Sequence, residues 1–168
     1  MPLERFRSQA GYIFATTNNP DYLIKVNPVN GHLTPVVGTG TSGYNGNADN
    51  SGAPLPGDQA QIDHPEGVAV ARNGDVVFAD TGNDLIRAYV PSTGELTDPL
   101  GGVVLNSTPQ RGYNGDGHYA NHTTLNHPEA IAVTNGPLLV VADTQNRRIR
   151  QLGPYPITEG AALKDPAR

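Results

Sequence analysis

Two carboxylates, Asp80 and Asp143, and two imidazoles, His64 and His127, are the groups best suited by type and spacing to do chemistry. Each histidine precedes a proline, in His64-Pro65-Glu66-Gly67 and His127-Pro128-Glu129-Ala130, and the two stand 63 residues apart. Imidazoles from successive units could converge on a metal ion. A usable site needs at least three ligands, and the first part of the chain offers no matching histidine. The simpler reading is a turn residue ahead of a proline. Asp80 and Asp143 could in principle act as general bases. Each also opens a turn segment, Asp80-Thr81-Gly82-Asn83 and Asp143-Thr144-Gln145-Asn146. In such turns carboxylate and amide side chains accept nearby backbone N–H bonds. Asp80, Asn83, Asp143 and Asn146 are therefore assigned to the turns, with Arg87 and Arg150 as partners for the two carboxylates.

Two glycine-rich loops are further candidates. Gly43-Tyr44-Asn45-Gly46-Asn47 returns as Gly112-Tyr113-Asn114-Gly115-Asp116. Asn114, Asp116, Asp49 and loop carbonyls could hold calcium, although the spacing is not that of an EF-hand. The alternative is a glycine-supported linker with Tyr44 and Tyr113 lying over neighbouring strands. As binding positions we single out Tyr44, Asn45, Tyr113, Asn114, Asp116 and Arg147; Arg147, Arg148 and Arg111 could meet an anionic partner or serve as surface charge. Asn106-Ser107-Thr108 and Asn121-His122-Thr123 are formal glycosylation acceptors at Asn106 and Asn121. His32, His118 and His122 fit no metal spacing. Gly38 to Gly43 lacks the lysine and helix of a phosphate loop, and no catalytic assignment and no cofactor follow.

The elements that must position these groups repeat. Aligning on the alanine ahead of each turn brings Ala15, Ala79 and Ala142 together in YIFATTNNPDYLIKV, VVFADTGNDLIRAYV and LLVVADTQNRRIRQL. Ile24, Ile86 and Ile149 follow, and Lys25, Arg87 and Arg150 come next, with Thr16 at the place of Asp80 and Asp143. Three recurring blocks near one period mark stacked units. In the second unit, Gly67 to Ala71 is a small apolar strand suited to a crowded axis, and Asn73-Gly74-Asp75 a hairpin turn. Val76 to Ala79 is apolar on both faces, as in a sheet covered on both sides. In the next turn Gly82 is a residue that tolerates positive φ; Leu85 to Val90 follows, and a fourth strand is expected around Glu95 to Val104. Three strands are expected in the first unit and three in the third. Four antiparallel strands buried on both faces make a propeller blade.

The pattern P-x-G-V-A-V, a turn, then V-x-x-A-D-T-x-N-x-x-I-R resembles the NHL repeat, most clearly over Pro65 to Arg87 and Pro128 to Arg150. The linker GYNGDG, with Ala120 and Leu125 ahead of His127-Pro128, is similar to linkers of NHL arrays. The resemblance covers roughly residues 11 to 152. It implies an all-β fold, a partial β-propeller of roughly three blades (about 11–42, 64–105 and 127–158), with an N-terminal arm at 1–10 and a tail or outer strand at 153–168, Tyr155 to Thr158 being the strand. Such families usually close as six-bladed rings, so this length suggests about half a ring. It further implies a non-catalytic binding or scaffold module that presents blade loops to a protein or glycan partner. The chain would then be a fragment or one section of a larger assembly; otherwise another protein, or further copies, would cover the terminal blades. The alternative it implies is a metal-dependent lyase or lactonase using His64 and His127 at the channel mouth.

Composition sets the outer bounds. The 168 residues carry 20 Gly and 15 Pro, which favours short strands and many turns over long helices. A net charge of −5, with Lys25 and Lys164 the only lysines, argues against a nucleic-acid surface. Without cysteine there is no disulfide and no Cys-ligated metal. No apolar run approaches the ~18 residues of a membrane span. Abundant Asn, Gly and Thr with two sequons lean toward an extracellular or cell-surface setting.

Overall fold

The computed structural model describes residues 7–9, 11–48, 52–97, 99–134 and 138–153. Its regular structure is β, interrupted by single 3-10 turns. The first sheet is built in order from β1 (Arg7–Gln9), β2 (Tyr12–Thr17), β3 (Tyr22–Val26) and β4 (Leu33–Val37), and the second from β5 (Pro65–Val70), β6 (Val76–Asp80), β7 (Leu85–Val90) and β8 (Glu95–Leu96). A hairpin of β9 (Val103–Leu105) and β10 (Thr108–Gln110) precedes the third sheet, β11 (Pro128–Val133), β12 (Leu139–Asp143) and β13 (Arg148–Leu152). All pairings within the sheets are antiparallel. The molecule is all-β, a partial β-propeller of small sheets, with no closed barrel among the described residues.

Stacking follows from the period-two alternation of strands. In the second sheet Val76, Phe78, Tyr89 and Leu96 pack with Phe14, Leu23 and Val37 of the first, together with linker residues Leu55, Ala60 and Ile62. The opposite face, Val77, Ala79, Ile86 and Ala88, packs with Ile131, Leu139, Val141 and Leu152 of the third sheet and with Ala120 and Leu125 of the second linker. Every residue of β6 is therefore buried. The inner strands run closest: a Cβ on Gly67 would stand 2.8 Å from the Glu129 carbonyl oxygen and 2.9 Å from Ala130 Cα. Hydroxyls reinforce the stack, Thr16 Oγ1 donating to Glu66 O at 2.6 Å and Thr81 Oγ1 to Pro128 O at 2.7 Å.

Four details differ from the expectations drawn from sequence. First, the repeat in the first sheet sits one residue from the alanine alignment. The pair closing the turn is Thr17↔Tyr22, against Asp80↔Leu85 and Asp143↔Arg148. A constant 63-residue offset thus aligns Thr16 with Ala79, Thr17 with Asp80, Asp21 with Asp84, Leu23 with Ile86 and Ile24 with Arg87. One residue of slip exchanges the faces of a strand, and only this register turns Phe14 and Leu23 toward the second sheet. Ile24, not Lys25, occupies the arginine position. Second, the stretch assigned to an arm contains β1, paired with β2 from Arg7↔Phe14 to Gln9↔Tyr12, so the first sheet has four strands.

Third, the fourth strand of the second sheet stops at Leu96; Val103–Leu105 instead turns back onto Thr108–Gln110 through Asn106 and Ser107, whose φ angles of 49° and 62° make a primed two-residue hairpin. Fourth, the positive φ of the Asp80–Asp84 turn lies at Asp84 (57°), not at Gly82. Gly82 lacks a side chain for another reason: a Cβ there would collide with the Asp63 carboxylate. The outer strand expected at 155–158 and the calcium candidate Asp49 lie outside the described residues.

Candidate functional site

The candidate residues lie in the turns that close the central strands, in the linkers and in the clefts between sheets. Asp80 ends β6 with no solvent exposure. Its carboxylate accepts from Asp63 N (2.7 Å), from Asn83 Nδ2 (3.0 Å) and from Arg87 Nη1 (3.1 Å). Burial pushes its pKa up to about 6, against the pull of the Arg87 guanidinium and of these hydrogen bonds. The carboxylate is paired inside the sheet with Arg87 rather than poised toward a cleft. Asp143 repeats the arrangement with Asn126 N (2.8 Å), Asn146 Nδ2 (2.8 Å) and Arg150 Nη1 (3.4 Å). The amides Asn83 and Asn146 each also donate to a linker carbonyl, Gly43 O and Gly112 O, both at 2.8 Å.

The two arginines carry these pairs outward to the linkers. Arg87 donates to Gln61 O at 3.0 Å and Gly46 O at 2.9 Å, with its guanidinium 5.4 Å from the Tyr44 ring centroid. Arg150 donates to Thr124 O (3.1 Å), Gly115 O (2.7 Å) and Asp116 Oδ1 (3.1 Å), and lies 5.2 Å from the Tyr113 ring. Asn45 donates to Gln59 O (2.9 Å) and accepts from Gln61 N (2.8 Å); Asn114 does the same with His122 O (2.7 Å) and Thr124 N (3.0 Å). Asp116 also accepts from the Tyr113 hydroxyl at 3.0 Å. Thus Tyr44 and Asn45 belong to the linker held by Arg87, and Tyr113, Asn114 and Asp116 to the linker held by Arg150, with the Asn and Asp side chains already engaged within the protein.

Arg147 is exposed and left-handed (φ 55°), at the position that Asp21 and Asp84 hold in the earlier sheets. Arg148, beside it, stacks 3.9 Å from the Tyr113 ring. Asn106 and Asn121 are both exposed, one at the tip of the β9–β10 hairpin and the other in a 3-10 turn.

The histidines do not converge on one point. Both have positive φ (45° and 55°) immediately ahead of an inner strand, but each faces its own cleft. Between the first and second sheets, His64 Nδ1 lies 2.5 Å from Asp63 Oδ1. The ligand atoms of Asp21, Asp63 and His64 fall within 4.8 Å of one another. The hydrogen bond to Asp63 raises the His64 pKa; partial burial opposes this, and the charges of Asp63, Asp21 and Glu66 add to it. Asp21 is buried and accepts from the Ser42 hydroxyl. Between the second and third sheets, His127 N donates to Asp84 Oδ1 at 2.7 Å, and Arg111 Nε to Asp84 Oδ2 at 2.8 Å. Asp21, Asp63 and Asp84 escaped the sequence reading, and Arg111, read there as a contact for an anionic partner or as surface charge, pairs with Asp84. The signal available was spacing, since Asp21 and Asp84 each stand 43 residues ahead of the histidine they face.

No protein-family model matches the chain. It is 31% identical over 99 residues to the protein SUPPRESSOR OF QUENCHING 1, chloroplastic, of Arabidopsis thaliana, a match covering 59% of this chain and 9% of that protein. Among solved structures, an auxiliary nutrient binding protein from Bacteroides thetaiotaomicron superposes with a TM-score of 0.65 at 24% identity, over 88% of this chain and 36% of that one. A protein of unknown function from the same organism gives 0.63 at 16% identity, over 83% and 32%. These likenesses are of fold, and the chain spans about a third of each of those two structures.

Proposed function

We propose that the chain is a section of an NHL-type propeller and acts as a non-catalytic binding module. The face of its third sheet would be covered by a protein partner or by another copy. One observation carries this reading. Leu23 and Ile86, at equivalent positions, have no exposure because the next sheet covers them, whereas Ile149 is 74% exposed. Ile149 shares its face with Val140, Ala142 and Gln151, and an apolar sheet face of this kind is where propeller blades meet. An auxiliary nutrient binding protein of like fold supports a binding role over a catalytic one. The carboxylates Asp80 and Asp143 are consumed by internal pairs, which also favours binding.

The test is sedimentation velocity of the chain at micromolar concentration, with Ile149→Arg beside it. Association that the substitution abolishes supports the covered face. A wild-type chain that stays single, and binds no better than Ile149→Arg in crosslinking with the remaining blades supplied as a separate chain, overturns it.

A further inference from the structure

The two inter-sheet clefts are copies of one site with opposite charge balance. In the cleft between the second and third sheets the turn carboxylate is Asp84, the residue ahead of the histidine is the neutral Asn126, and the linker residue ahead of the glycine loop is Arg111. The Arg111 guanidinium sits on Asp84 at 2.8 Å, so a cation of the chain fills this cleft. In the cleft between the first and second sheets the corresponding residues are Asp21, Asp63 and Ser42. A carboxylate has been gained, the cation has been lost, and the Ser42 hydroxyl takes the contact that Arg111 makes in the other copy. Among the described residues no Lys or Arg forms an ion pair with Asp21 or Asp63. Asp21 nevertheless is only 2% exposed, and a buried carboxylate is costly unless a cation or metal compensates it.

We propose that the cleft of Asp21, Asp63 and His64 binds one divalent transition metal ion, Zn2+ fitting best, which fastens the first sheet to the second as Arg111 fastens the second to the third. The donor set is two carboxylate oxygens and an imidazole nitrogen; the imidazole favours zinc over calcium or magnesium. Ligands on a tetrahedral zinc ion with bonds of about 2.0–2.2 Å stand roughly 3.3–3.6 Å apart. The ligand atoms now lie within 4.8 Å of one another, and the 2.5 Å contact between His64 Nδ1 and Asp63 Oδ1 would open as the ion enters. His64, 63% exposed at its side chain, leaves the site open to water, which supplies the remaining coordination. Asp21 comes from the first sheet, and Asp63 and His64 from the entry to the second, so binding would clamp two blades. The role is structural and does not depend on the binding-module reading above.

The test is isothermal titration of the tag-free, chelator-treated chain with ZnCl2, with circular dichroism to check the fold. One Zn2+ per chain is expected, together with a rise in melting temperature. Asp63→Asn and the exposed-site change His64→Gln are each expected to weaken binding at least tenfold. Ser42→Arg, which installs the cation of the other cleft, is expected to abolish zinc binding while the metal-free protein melts no earlier than wild type. The double change Arg111→Ser, Asn126→Asp is expected to create a second equivalent. A folded wild type that takes up no stoichiometric zinc overturns the proposal, as does binding that His64→Gln and Ser42→Arg leave unchanged.

Discussion

The guanidinium of Arg87 and the carboxylate of Asp80 lie 3.1 Å apart, and neither side chain has any exposure to solvent. The same arginine holds the carbonyls of Gln61 and Gly46. It therefore joins the centre of one sheet to the linker that enters it. Removing one partner of a buried pair strands the other, at a cost of about 3–5 kcal/mol. Arg87→Met is expected to lower stability by that order, read from the urea midpoint. Arg87→Met combined with Asp80→Leu should recover much of the loss.

Asp80 also gives a pH signature. Its pKa in the folded protein is about 6, above the ordinary value of 3.8, so between those values the folded state holds a proton that the unfolded chain has released. A group raised on folding adds stability that is full below its unfolded value and is lost as pH rises through its folded value. The stability of wild type relative to Asp80→Asn is therefore expected to fall as pH rises from about 4 to 6, then level off. Parallel denaturation series across that range measure it; a difference that grows with pH would contradict the assignment.

Asn45 and Asn114 each satisfy one backbone donor and one backbone acceptor in their linkers. Alanine at either position leaves both groups without that partner. Each loss of this kind costs about 1–3 kcal/mol where water cannot replace the bond, and less at these exposed loops. Thermal melts should show a drop for Asn45→Ala and Asn114→Ala, and smaller drops for alanine at Tyr44 or Tyr113.

Gly67 marks the tightest approach of two inner strands, with the Glu129 carbonyl and Ala130 backbone within 3 Å of where a Cβ would stand. Gly67→Val would push against backbone that cannot rotate away. Overpacking costs typically about 1–3 kcal/mol, and here the upper end is expected. Ala130→Gly, on the other side of the contact, should be far milder when both are compared by guanidinium unfolding.

Much of the stack could be read from residues alone. The run Val76 to Ala79 required a sheet covered on both sides, and the 63-residue recurrence of His-Pro-Glu located its neighbours. The register of the first unit was harder. Ala15 matches Ala79 in identity, yet Thr16 occupies its place, because strand geometry cares which face a side chain takes and not whether letters agree. Leu23 serves for Ile86 without disturbing the core, so the substitution left no trace in the apolar pattern. The β9–β10 hairpin was hidden for a related reason: Asn106-Ser107 also reads as a sequon. The clefts were invisible for a different one. Asp21 and Asp63 are 42 residues apart in sequence, and only the stacking of one sheet on the next brings their carboxylates together.

The hydroxyls of Thr16 and Thr81, each clipped to a carbonyl of the following inner strand, leave the middle sheet guarded on both flanks and each outer one on a single flank. Thermal damage should accordingly travel inward. Deuterium ought to enter β2 and β12 well before it reaches β6, so amide exchange along the chain would trace a profile that peaks at its centre.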